Sequence, residues 1–355
     1  MRYTITLATA SAVAALTTAA AADVPKVVTD IPPVHALVSQ VMGDLGTPLL
    51  LLDGSADAHS FQLRPSQAAA LAGADLLFWI GPEMTPWLER AVAGTGISGT
   101  SVELLHVPGV RIRSYGADGE HDHDHDHDHD HDHDHDHDHD HDHDDHAHDQ
   151  GHDHNHDHDD AHAHHDHEED DHGRDNHGHS HDGLDPHAWL DPGNARLWIE
   201  AIASELAARD AENADTYRSN AETALAGIDA LEVEVSAMLE GVQGRPFYVY
   251  HDAYGYFADH FGLTVAGAIA DGDAATPGAA RLAALRAEIA QGSGVCIFPE
   301  VQHDARHTQQ LGESDEIRIG GALDPEGMQL APGAGLYADL LRGLATTIAD
   351  CVTAN

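Results

Sequence analysis

Residues 75–81 read DLLFWIG, apolar without interruption from 76 to 80 and stopped by a glycine. A strand with one solvated face alternates apolar and polar residues, whereas a run like this suits a strand of a parallel sheet covered on both faces. Outward from it, the first half of the chain holds three more such strands, KVVTD at 26–30, PLLLLD at 48–53 and a run at 101–105. Helical stretches fall between them at 34–42, 66–72 and 85–92. The second half repeats the pattern. Strands are expected at 247–250, 265–269, 295–298 and 316–319, and helices at 254–261, 277–290, 303–311 and 336–349. Strand–helix alternation of this kind predicts an α/β fold with a parallel-rich sheet in each of two lobes, and a ligand cleft between them at the carboxyl ends of the strands. Two helices separate the halves. The first covers 194–208. In the second, Tyr217, Ala221, Ala224, Ile228, Leu231, Val235 and Met238 recur at three- and four-residue steps, and its length of about 40 Å suits a strut joining the lobes.

The first half is interrupted by a tract unlike the rest. Between Glu120 and Asp182 lie 26 of the 34 histidines, most of them alternating with aspartate. Such a segment cannot bury enough apolar surface to offset its ordering entropy, so a solvated, disordered loop is expected. Solubility alone would need the aspartates but not the histidines. Imidazole and carboxylate together are ligands for borderline first-row divalent metals, zinc foremost. Tract imidazoles such as His121, His123, His125, His152, His154, His177 and His179 form a set of weak, exchangeable ligands. The formal net charge of −46 argues against nucleic acid and anionic membrane surfaces as partners.

Residues 1–22 read as a secretory leader: Arg2, an Ala-rich apolar stretch, then Ala20, Ala21 and Ala22 before Asp23. The organisation expected is therefore a leader at 1–22 and an N-terminal lobe at 23–212 carrying the loop at 120–182. A linking helix at 213–241 and a C-terminal lobe at 242–355 complete it. The only cysteines are Cys296 and Cys351. In an exported chain an isolated pair most simply forms one disulfide, here tying the last helix to a buried strand.

Eight histidines lie outside the tract. Three stand in loops at strand ends or helix starts, where functional residues concentrate: His59 in DAHSFQLRPSQ, His187 in DPHAWLDP and His251 in HDAYGYF. Asp185 and Asp252 are candidates to orient the imidazoles of His187 and His251, because ligating histidines usually donate their second N–H to an oxygen. His35 is expected in the first strand-to-helix loop, packed or hydrogen-bonded there. His303 and His307 share a helical face at the i, i+4 spacing that can grip a metal, but two ligands make a weak site, and exposed helix surface is the expected reading. Glu83 reads as a capping or lobe-lining residue. Phe61, Trp79, Trp87, Tyr254 and Tyr256 are expected in the core or cleft wall.

The stretches HSFQLRPSQ, WIGPEM, DPHAWLDP, HDAYGYF and GALDPEG, in this order along the mature chain, resemble the ZnuA family of periplasmic zinc receptors of ABC importers. The resemblance implies two (β/α)4-type lobes joined by one long rigid helix, a metal cleft between them, and a mobile His/Asp-rich loop where the tract lies. It places the three histidine ligands on His59, His187 and His251. Some family members carry a carboxylate just before the first of these, where this chain has Ala58, so the fourth position falls to water or to Asp324 of GALDP. The implied cargo is Zn(II). The implied partners are an ABC permease and its ATPase in the inner membrane, with the receptor itself a monomer. Alternative readings are a periplasmic metal buffer or adhesin, and a manganese-type receptor. An enzyme with an open zinc position is a further class, but the chain has no HExxH motif and no nucleophile elbow to support it.

Overall fold

A computed structural model describes residues 24–52, 61–115, 183–270, 276–292, 294–313 and 317–354. The expected leader, the His/Asp tract with His121, His123, His125, His152, His154, His177 and His179, and His59 lie outside the described residues.

The first sheet contains β1 (Val27–Thr29), β2 (Leu49–Leu50), β3 (Leu76–Trp79) and β4 (Thr100–Glu103), all parallel, in the order β2-β1-β3-β4. The second contains β7 (Phe247–His251), β8 (Val265–Ala270), β9 (Cys296–Ile297) and β10 (Arg318–Ile319), again parallel, in the order β10-β9-β7-β8. Read from its other edge, the second sheet has the same topology as the first. In each, the first strand lies between the second and the third, so the winding direction reverses at the gap between first and third strands. Ligand crevices of open parallel sheets form at that gap, beyond the carboxyl ends. The continuous apolar runs are buried as expected: Leu76, Leu77, Phe78 and Trp79 are each at most 2% exposed.

The helices of the first half are α1 (Pro32–Met42), α2 (Pro65–Ala72) and α3 (Pro86–Thr95), followed across the tract by α4 (Pro192–Arg209) and α5 (Ala214–Leu239). Four of these begin on a proline, whose fixed φ and missing N–H suit the first helical turn, and this moves several starts from the positions read in the sequence. His35 lies within α1, inside the helical stretch read at 34–42, and not in the loop before it. It is buried, and its Nε2 lies 3.2 Å from the Pro48 carbonyl oxygen. α5 is 26 residues long and buries Tyr217, Ala221, Ala224, Ile228, Leu231, Val235 and Leu239. The stripe matches the periodic set except at its end, where Leu239 rather than Met238 is fully buried. α5 packs on α4 and α1 and also on α9 (Leu336–Val352), the last helix.

α6 (Gly255–Phe261), α7 (Ala279–Ala290) and α8 (Arg306–Leu311) complete the second half. α8 starts later than the sequence suggests because the Asp304 carboxylate takes the Arg306 backbone N–H at 2.9 Å. His303 therefore precedes the helix, and the i, i+4 face with His307 does not form. A short antiparallel pair, β5 (Arg113–Ser114) with β6 (Leu184–Asp185), is not expected from the sequence; it joins residues that stand either side of the tract in the chain. The Cys296–Cys351 disulfide links β9 to α9. Among the described residues, no helix is long and apolar enough to cross a membrane.

One junction in this fold joins three helices through a histidine. His260 on α6 contacts the Asp191 carboxylate at the start of α4 through Nδ1 (2.8 Å) and Glu232 on α5 through Nε2 (3.0 Å). The hydrogen bond with Asp191 is the main cause raising its pKa above the ordinary 6.5; half-burial opposes the rise, and the Asp191 and Glu232 charges add to it. A raised folded-state value means that the stabilisation is complete below the unfolded value and is lost as pH rises through the folded one. The stability difference between the native chain and His260→Gln should therefore be larger at pH 6 than at pH 9 in urea unfolding. An equal difference at both would remove this role.

Candidate metal centre

His251 ends β7, and Glu300 follows β9, so the two stand at the reversal point of the second sheet. β7 reads FYVYH, aromatic and β-branched, and ends where the Ala253 N–H folds back on the His251 carbonyl at 3.0 Å. His251 is 4% exposed and Glu300 also 4%. His251 Nδ1 lies 2.6 Å from Glu300 Oε2, and the Tyr254 hydroxyl donates to Glu300 Oε1 at 2.9 Å. A carboxylate at Nδ1 holds the proton there and leaves Nε2 as the nitrogen suited to a metal.

His187 is built in the same way from a local motif. In DPHAWLDP, the Asp185 carboxylate accepts the His187 backbone N–H at 3.0 Å and lies 2.8 Å from Nδ1 of the same residue. The Tyr115 hydroxyl is 3.4 Å from that nitrogen. His187 is 0% exposed, and Nε2 of both His187 and His251 is buried. A 3-10 turn over Ala188–Leu190 then leads to Asp191, which caps α4 by accepting the Gly193 N–H at 2.7 Å.

The two imidazoles, 64 residues apart in sequence, lie with ring centroids 5.3 Å apart and ring planes tilted by 57°. Two imidazoles bound through Nε2 to one tetrahedral zinc, with Zn–N about 2.0–2.1 Å, place their centroids about 5 Å apart. The spacing matches that geometry. Buried hydrogen bonds pin the DPHAWL loop to the second half: Tyr256 hydroxyl to Asp185 carbonyl (2.9 Å), Trp189 Nε1 to Pro325 carbonyl (2.8 Å) and Tyr337 hydroxyl to Trp189 carbonyl (2.8 Å). Tyr254 and Tyr256, expected only as core or cleft wall, thus also position the site. At Gly255 a β-carbon would run into the Arg113 guanidinium, so the small residue permits this close approach.

The other candidates are placed as follows. Asp185 does orient His187, but the partner of His251 is Glu300 rather than Asp252. Burial, with the charge of Asp185 adding to it, pushes the Asp252 carboxyl up from its ordinary range. Asp324 accepts the Met328 and Gln329 backbone N–H groups, each at 2.9 Å, and so caps a turn with both oxygens. Glu83 pairs with His106 at 3.0 Å. His303, read as surface helix, instead stacks on Tyr250 with centroids 4.2 Å apart and lies edge-on to His251 at 5.7 Å. Glu300 is not among the residues the sequence points to, its one available signal being a carboxylate directly after the apolar run VCIFP, and His303 enters the sequence reading only with His307.

Comparison with known proteins gives this geometry its setting. The profile of the family described as "ZnuA: Zinc-uptake complex component A periplasmic" matches residues 27–351. The chain is 52% identical to the high-affinity zinc uptake system protein ZnuA of Paracoccus denitrificans (strain Pd 1222), covering 99% of this chain and 98% of that one. It is 38% identical to the protein of the same name from Brucella suis biovar 1 (strain 1330), with 92% and 91% covered. Among solved structures, a zinc-bound ZnuA deletion mutant superposes with a TM-score of 0.66 at 21% identity, over 94% of this chain and all of that one. A Cd-bound periplasmic metal binding protein from Candidatus Liberibacter asiaticus gives 0.65 at 18%, over 92% and 99%. At such identities the structures speak for the two-lobed fold alone. With nearly its whole length matched by the family profile and by these relatives, the chain belongs to the ZnuA family.

Proposed function

We propose that this protein is a periplasmic receptor that captures Zn(II) in the cleft and delivers it, as a monomer, to an ABC permease and its ATPase in the inner membrane. The observation that carries the reading is the pair of buried imidazoles, His187 and His251, 5.3 Å apart. Each is held at Nδ1 by a carboxylate. His59 joins them as the third ligand on the strength of the family resemblance. Because both oxygens of Asp324 already serve backbone amides, water is the simpler fourth ligand. Neutral imidazoles in a tetrahedral set favour zinc, whereas manganese prefers more oxygen.

The mechanism follows from what the site already holds in place. Asp185 and Glu300 fix tautomer and ring direction before zinc arrives, so little ordering remains to oppose binding. The pinned DPHAWL loop keeps the halves in register, and capture requires small adjustments rather than wide closure. The tract would act as a weak, exchangeable zinc antenna feeding the tight site. Residues 1–22 would serve as the export leader, with 23–212, 213–241 and 242–355 as lobe, linking helix and lobe.

A competition titration against a zinc-sensitive chelator tests this reading. The first zinc bound should resist about a hundredfold excess of manganese. Glu300→Gln should weaken that zinc about ten- to a hundredfold, the usual cost of removing a ligand's hydrogen-bond partner. Displacement by equimolar manganese would overturn the assignment.

A further inference from the structure

The geometry points to a second divalent-cation set, formed by His251, Glu300 and His303, beside the cleft site and filled when zinc is in excess. This inference rests on the zinc reading above. One ligand atom from each of the three residues lies within 4.8 Å of the others, and His303 Nε2 is 3.6 Å from Glu300 Oε2. Ligands of a tetrahedral zinc sit about 3.3–3.5 Å apart, so Glu300 Oε2 and His303 Nε2 already stand near that separation, while the 2.6 Å contact of His251 Nδ1 with Glu300 has to open by under an ångström. Two imidazoles with one carboxylate are a donor set that zinc accepts.

The surroundings support an ion rather than a packed core. His303 is held flat against Tyr250, with ring planes 12° apart. Its side chain is 19% exposed against 2% for Glu300, so the set runs from solvent to the buried site. The turn in which the His303 N–H donates to the Glu300 carbonyl at 3.3 Å fixes the two residues relative to one another. The nitrogen of His251 that meets Glu300 is Nδ1, which leaves Nε2 for the ion shared with His187. An ion in the outer set displaces the Nδ1 proton to solvent, leaving His251 as an imidazolate bridging the two ions, and so replaces the Glu300–Nδ1 hydrogen bond on which the inner ligand depends. Outer binding is therefore the weaker, and filling it loosens the inner site. This makes the outer set a station on the path of the ion.

Crystals of the full chain, soaked at one equivalent of zinc and at large excess and measured at the zinc absorption edge, test this. At one equivalent, a single anomalous peak should lie between His187 and His251. At excess, a second should appear about 2.0–2.2 Å from Glu300 oxygen and His303 Nε2. His303→Ala and His303→Gln should each lose the second peak and keep the first. A second peak that persists in both variants would overturn the outer set, as would saturation with only the first peak and the Glu300–His251 contact intact. Absence of the first peak would instead overturn the zinc reading of the cleft.

Discussion

Replacing His187 or His251 with alanine should weaken the tightest zinc about a thousandfold. Structural zinc sites bind with about 10–16 kcal/mol, and one ligand among four carries about 3–4 kcal/mol of that, which corresponds to roughly two to three powers of ten. The loss is steep here because both rings are buried and preset by carboxylates. Removing either imidazole also leaves Asp185 or Glu300 buried beside an empty space, which disfavours relaxation of the site around the ion. Chelator competition on the purified full chain reads the affinity, and the urea midpoint without metal shows whether the fold survives. A change below tenfold in both variants would mean that the tightest zinc is held elsewhere, the tract included.

The second large effect concerns the disulfide. Cys296 and Cys351 are separated by 55 residues. Closing a loop of that length removes about 4 kcal/mol of chain entropy from the unfolded state, as an upper figure. The cross-link anchors α9, which packs on both α1 and α5. Its loss therefore loosens the helical layer joining the halves as well as the second sheet. Cys296→Ser with Cys351→Ser should lower urea stability by about 2–4 kcal/mol while leaving the spacing of His187 and His251 to the loop hydrogen bonds described above. A loss under about 1 kcal/mol would mean that α9 is held by its apolar face alone.

Much of this fold can be read from the chain because its buried strands are short, continuous apolar runs. DLLFWIG and FYVYH have no polar face to leave toward solvent, and only a parallel sheet covered on both sides accommodates them. The 3.6-residue stripe of α5 was equally plain. What escaped the reading depends on contacts between distant residues. β5 and β6 are two residues each, on either side of the tract, and carry no periodic signal of their own. Asp185 could be named as the partner of His187 because it stands two positions away and the contact is local. Glu300 could not be named for His251, 49 positions away, because only the pairing of β7 with β9 brings them together. His303 was misread because a side chain, Asp304, captures the backbone N–H that would have begun the helix earlier.

The most direct measurement is a crystal structure of the full chain loaded with less than one equivalent of zinc, with anomalous scattering to locate the ion. The account predicts a single zinc with Nε2 of His187 and Nε2 of His251 both about 2.0–2.1 Å away, and Nδ1 of each still against Asp185 and Glu300. Zinc bound with neither nitrogen in its coordination sphere would contradict it.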